Sequence, residues 1–112
     1  MKDGLHADTI IGNQYWYKDD KIHREDGPAI TWNDGGQFWY KEDKLHREYG
    51  PAVIWLSGTE YWYKEDRLHR DDGPAVIYAD GRQLWYNYGK RYEPSAHDLM
   101  VWKMNEKERT TH

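Results

Sequence analysis

The apolar positions of this chain come in short bursts. An aromatic triplet (Tyr15-Trp16-Tyr17, Phe38-Trp39-Tyr40, Tyr61-Trp62-Tyr63) is followed by a charged stretch such as Lys41-Glu42-Asp43-Lys44, then by an aliphatic residue with His-Arg. An acidic pair or its variant, Gly-Pro-Ala and a β-branched run ending in an aromatic, as in Val53-Ile54-Trp55, complete the pattern. A Gly-bearing turn, Asn33-Asp34-Gly35-Gly36 or Ala79-Asp80-Gly81, leads into the next triplet. Aromatic and β-branched runs this short, set between turn-forming residues, predict strands joined by hairpins, two strands per unit.

The bursts recur with a period of 23 residues, shared by Trp16, Trp39, Trp62 and Trp85, by His23, His46 and His69, and by the triplets opening at Gly27, Gly50 and Gly73. The units are 13–35, 36–58, 59–81 and a partial fourth, 82–92; the second and third share 14 of 23 residues. Residues 1–12, with Gly4-Leu5-His6 as the trace of a unit, read as a degenerate N-terminal cap. Pro28, Pro51 and Pro74 each remove a ladder donor, so each belongs at a bulge or strand start, with Gly27, Gly50 and Gly73 supplying the backbone conformation of the bend. The fold expected is mainly β: an antiparallel meander of stacked hairpin repeats forming one curled sheet. Strand alternation puts Trp16 on one face and Tyr15 and Tyr17 on the other, so both faces carry aromatics. One face is expected to close by curling or against the C-terminal segment, leaving the other for a partner.

The tail differs in kind. Ser95 offers an N-cap with Asp98 three residues on, and Leu99, Trp102, Met100 and Met104 follow at spacings that share a helical stripe. An amphipathic helix over 95–109 is predicted, covering the last strand or, alternatively, docking a partner or a second copy through Trp102.

Composition sharpens this picture. The chain has 112 residues, enough for one small domain. Its 16 Leu, Ile, Val and Phe residues are few for a folded chain, yet 7 Trp and 10 Tyr supply large buried area, so a core built on aromatics is expected. The lack of cysteine excludes disulfides and thiolate chemistry. Net charge is −4, spread in mixed-sign runs, which disfavours nucleic acid as main partner. With no apolar leader and no membrane-length apolar run, a cytoplasmic protein is expected.

The 23-residue period and the string His23-Arg24-Glu25-Asp26-Gly27-Pro28-Ala29 resemble the divergent MORN-like repeats (membrane occupation and recognition nexus) of tailed bacteriophage and giant-virus proteins. The resemblance covers about 13–92 and implies stacked β-hairpins and a recognition scaffold rather than chemistry. It also implies a host cytoplasmic location. The chain departs from ordinary MORN units in having Arg24, Arg47 and Arg70 after the His, aromatics for the first-strand Gly, and Tyr49 where Asp26 and Asp72 stand in the other units.

Chemistry finds little footing. Equivalent His residues two strands apart lie ~9.6 Å from one another, too far to share an ion. A structural ladder of His23, His46 and His69 with their acidic neighbours, together with the Gly-Pro pairs, is the expected role. Ser57 and Ser95 lack a nucleophile-elbow context, and no phosphate loop occurs. No catalytic residue, metal ligand or cofactor is assigned.

The partner-binding candidates are Trp16, Trp39, Trp62, Trp85 and Trp102 with Arg24, Arg47 and Arg70. They suit a protein-interaction module, because Trp and Arg are enriched at binding hot spots. The viral likeness makes a phage-encoded inhibitor of a bacterial defence protein, such as a CRISPR-associated one, the concrete version. Two alternatives use the same residues. One is binding of a small anion or nucleotide, with the rings stacking and Arg on phosphate; the other is a self-associating virion component or homodimer.

Overall fold

The computed structural model describes residues 2–8 and 10–110, with side chains as far as Glu106. Strand β1 (Gly4–Ala7) lies outside the repeats. Unit one contains β2 (Gln14–Lys18), β3 (Lys21–Ile22) and β4 (Ile30–Thr31). Unit two contains β5 (Gln37–Phe38), β6 (Tyr40–Lys41), β7 (Lys44–Leu45) and β8 (Val53–Ile54). Unit three repeats these as β9 (Glu60–Tyr61), β10 (Tyr63–Lys64), β11 (Arg67–Leu68) and β12 (Val76–Ile77). Strands β13 (Gln83–Asn87) and β14 (Lys90–Tyr92) and helix α1 (Ala96–Thr110) complete the chain.

The protein is mainly β and antiparallel, an open meander ending in a helix, as the repeat pattern predicts. The main sheet runs β1-β2-β4-β5-β8-β9-β12-β13-β14, with β3 branching from β2; β6-β7 and β10-β11 form separate two-stranded sheets. The expected two strands per unit are therefore four segments in units two and three. The reason is that the first run serves two partners and bends at its Trp. Before the bend, Phe38 pairs with Val53; after it, Tyr40 pairs with Leu45. At the bend the Trp39 N–H donates to the Ala52 carbonyl (2.6 Å), and the Trp39 carbonyl accepts from the His46 N–H (3.0 Å). Trp62 repeats both bonds with Ala75 and His69.

The side hairpins close through left-handed turns, Asp19-Asp20, Glu42-Asp43, Glu65-Asp66 and Tyr88-Gly89. Both central residues have positive φ, which matches the twist of a two-residue hairpin, and Asp tolerates that conformation better than most residues. The second Asp also staples its unit to the preceding one. Asp43 Oδ1 accepts the Ile22 N–H (2.7 Å) while the Asp43 N–H donates to the Ile22 carbonyl (2.9 Å). Asp66 does the same to Leu45 (2.6 and 2.9 Å). In the fourth unit Gly89 keeps only the backbone bond, to Leu68 (2.7 Å).

The core combines the expected aromatics with small aliphatic residues, and Trp85 and Trp102 are buried toward the C-terminal end. Ala29, Ala52 and Ala75 are fully buried, and Ile30, Phe38 and Val53 form a cluster ringed by half-buried Tyr15, Tyr40, Tyr61 and Tyr63. Larger rings join successive units, as in the edge-to-face contact of Trp32 in unit one with Phe38 in unit two. The molecule is elongated, 49 × 24 × 24 Å.

Helix α1 begins at the expected cap: Ser95 Oγ accepts the Asp98 N–H (3.1 Å) and Asp98 Oδ2 accepts the Ser95 N–H (2.9 Å), a reciprocal capping box. Of the predicted stripe, only Trp102 is on its docked face. Trp102 is buried and Asp98, Val101 and Asn105 half-buried, while Leu99, Met100 and Met104 point outward. The Trp102 ring lies on Gly73 and beside the Arg70 guanidinium.

Candidate functional site

The repeat builds the same platform three times. The bend at each Trp presents its indole to the Arg that follows the His. The guanidinium carbons of Arg24, Arg47 and Arg70 sit 4.2, 3.8 and 3.7 Å from the ring centroids of Trp16, Trp39 and Trp62. A bond from Nη1 to the carbonyl of Pro28, Pro51 or Pro74 (3.3, 3.0 and 3.2 Å) orients each guanidinium. Cation–π contacts of this kind contribute about 0.5–2 kcal/mol each, more as they lose water.

The glycines before proline owe their place to room. Gly27 and Gly73 have no positive φ, so a left-handed backbone does not select glycine at those two positions. A Cβ at Gly27 would meet Arg24 Cζ at 3.0 Å, and one at Gly50 would meet Arg47 Cζ at 2.6 Å. At Gly73 it would meet the Trp102 ring at 2.7 Å and Arg70 Cζ at 3.2 Å. Only a residue without a side chain leaves this face flat enough for a guanidinium or an indole to lie on.

Each histidine links two units. Nδ1 of His23, His46 and His69 accepts the backbone N–H of Glu42 (3.1 Å), Glu65 (3.2 Å) and Tyr88 (3.0 Å) in the next unit. The network therefore puts the proton on Nε2, which donates to Glu25 (3.4 Å), Glu48 (2.6 Å) and Asp71 (2.7 Å). The His bond is the largest cause holding the Glu48 and Asp71 carboxyls below their ordinary values. Both ring nitrogens are thus committed to the fold. Among the described residues no three His, Asp or Glu side chains converge as metal ligands would.

The platforms differ in two respects. In units one and three the guanidinium also meets a carboxylate, Arg24 Nε to Asp26 (2.8 Å) and Arg70 Nε to Asp72 (3.1 Å). Asp26 is held below the usual carboxylate range, chiefly by its hydrogen bond from Arg24. In unit two Tyr49 takes that place and projects into solvent, 93% exposed, and among the described residues Arg47 makes no ion pair. Burial pulls the Arg47 guanidinium below its ordinary value, and Glu60 partly offsets this. The second difference is the helix. Trp102 covers unit three, with Arg70 Cζ 4.6 Å from its ring, so that Arg70 lies between two indoles. Side-chain exposure falls from 27% for Arg24 to 4% for Arg70. The Trp62 indole N–H is buried there and meets no acceptor among the described residues.

Of the predicted residues, Trp16, Trp39, Arg24 and Arg47 lie on open platforms, and Trp62 and Arg70 on the covered one. Trp102 is buried against its own chain, and Trp85 is buried with Tyr92 across its strand pair. A groove of about 500 Å³ runs between units one and two, lined among others by Asp26, Gly27, Trp39, Arg47 and Tyr49. Its basic groups, Arg24, Lys41 and Arg47, face the acidic Glu25, Asp26 and Glu48, so it has no net positive field. Sequence reasoning did not place Tyr49 among the binding residues; its departure from the Asp of the other units was the available signal. It also left out the edge-to-face row Trp32–Phe38–Trp55, whose two Trp residues are partly exposed. No family model, curated protein or solved structure matches this chain.

Proposed function

We propose that this chain is a non-catalytic protein-interaction module of the MORN-like kind, whose binding surface is the groove between units one and two. The observation that carries the reading is Tyr49: a large aromatic, nearly fully exposed, stands beside Arg47 and Trp39 where the other units use Asp to hold their Arg. A fold needs no exposed Tyr at that point, whereas Tyr, Trp and Arg together make the usual anchors of a protein interface. Small-anion or nucleotide binding has less support, because the groove sets three acidic groups against its three basic ones. Self-association through the sheet end is opposed by the exposed Lys90 and Arg91 on the outermost strand β14, charges that blunt edge pairing.

The resemblance to phage and giant-virus repeats makes a bacterial host protein, including those of defence systems, the partner class to screen first. Affinity capture from bacterial lysate, comparing the natural chain with Tyr49→Asp and Arg47→Ala, tests the proposal. A protein retained by the natural chain and lost with both substitutions is the expected result. Identical retention by all three chains would overturn it.

A further inference from the structure

The covered platform shows what the open ones are shaped to hold. On unit three a helix places one tryptophan flat against Gly73, with Arg70 clasped between that ring and Trp62. Unit two has the same parts, Gly50, Arg47 and Trp39, at the same register, and among the described residues no helix side chain lines its groove. With an indole, that of Trp39, on one side only, Arg47 lies closer to its glycine, its Cζ 2.6 Å from where a Cβ of Gly50 would stand, against 3.2 Å for Arg70 at Gly73. Arg47 also lacks the carboxylate that Arg24 and Arg70 have.

Resting on the interaction reading above, we infer that the unit-two platform is a receptor for a tryptophan presented by an amphipathic helix of a partner protein. The partner's ring lies on Gly50 and against Arg47, as Trp102 does on unit three. Its helix carries a carboxylate near that ring, which supplies Arg47 with the acceptor that Tyr49 does not. Tyr49 flanks the seated helix. A helix suits the surface because successive platforms, two strands apart, lie ~9.6 Å from one another, close to the ~10.5 Å between helix residues i and i+7. A second aromatic seven residues from the first therefore reaches unit one, where Gly27 and Arg24 repeat the arrangement.

The probe is a synthetic peptide with the sequence of residues 95–110, labelled at its N-terminus and titrated with the full-length chain by fluorescence anisotropy. Saturable binding is expected, weakened about tenfold or more when Arg47→Ala is introduced into the chain, a loss in the range of a desolvated cation–π contact. The same loss is expected when Trp102→Ala is introduced into the peptide. Circular dichroism of the Arg47→Ala chain confirms its fold, and Tyr49→Ala, which removes a solvent-exposed ring, provides a second variant with binding weakened severalfold. Absence of binding, or equal binding by the Arg47→Ala chain, overturns the inference. The broader reading fails separately, by Arg47-independent capture in the lysate experiment.

Discussion

Units two and three share 14 of 23 residues, yet one platform is open and the other is closed by the chain's own helix. They share the bend at Trp, the Arg stacked on it, the bond to the proline carbonyl and the flat glycine face. They differ in Tyr49 against Asp72 and in the presence of Trp102. Where the helix is present the arginine is nearly fully buried and its charge is met by Asp72 and two indoles. Where it is absent, a half-buried arginine without a carboxylate and an exposed tyrosine face solvent. The repeat thus supplies a stackable scaffold, and local departures decide which copy serves the fold and which is left for recognition.

The largest effect that breaks the comparison is removal of the covering ring. Trp102→Ala should cost about 3 kcal/mol, in the range of buried aromatic deletions, and Trp16→Ala, on an open platform, about 1 kcal/mol less or better. Urea denaturation measures both. Equal losses would show that the two platforms are energetically alike.

Next comes the glycine face. Gly73→Ala drives a methyl into the Trp102 ring and should destabilise by about 1–3 kcal/mol. Gly27→Ala meets only the end of the Arg24 side chain, which swings aside, and the reduced freedom of the unfolded chain offsets the contact, so a change under about 0.5 kcal/mol is expected. Thermal denaturation of the two variants side by side checks the ranking.

The turn staples come third. Asp43→Gly keeps the left-handed turn but loses the acceptor for the Ile22 N–H, reproducing what Gly89 does in the fourth unit. A loss of about 1 kcal/mol is expected, with faster hydrogen exchange at Ile22.

The smallest effects are electrostatic. Glu48 and Asp71 titrate below their ordinary values of 4.5 and 3.8 in the folded chain, so the unfolded chain binds more protons as pH falls through that range. The stability they provide is present above the ordinary values and is lost as pH drops through the lower folded ones. Urea midpoints at pH 6, 4.5 and 3 should decline, and Asp71→Asn should flatten the decline. Tyr49→Asp, which gives unit two the carboxylate of its neighbours, should stabilise by no more than about 1 kcal/mol, while closing the platform to a partner.

Much of the fold could be read from the chain because its signals are local. The 23-residue period, the hairpin turns, the Ser95 cap and the start of the helix depend on residues close in sequence, and the structure places them where expected. What could not be read depends on distant pieces meeting. The bend at Trp39 arises because one run pairs with Val53 on one side and Leu45 on the other. The glycines looked like backbone hinges, since their use as a seat for Arg and for Trp102 appears only when loop, ring and helix are assembled. The helical stripe was legible only in part for the same reason: Trp102 is buried as its spacing suggested, but Leu99, Met100 and Met104, equally apolar, face away from the seat that Gly73 offers.

The most direct test of the claim that one platform is filled from within and another is open to a partner is an indole ¹⁵N–¹H spectrum. The seven tryptophans give seven side-chain signals, assigned by single Trp→Phe substitutions. On addition of the 95–110 peptide, the Trp39 signal should shift progressively while those of Trp62 and Trp102 stay in place. Movement of Trp62 and Trp102 with Trp39 unchanged would contradict the account, because it would mean that the covered platform exchanges its helix and the open one binds nothing.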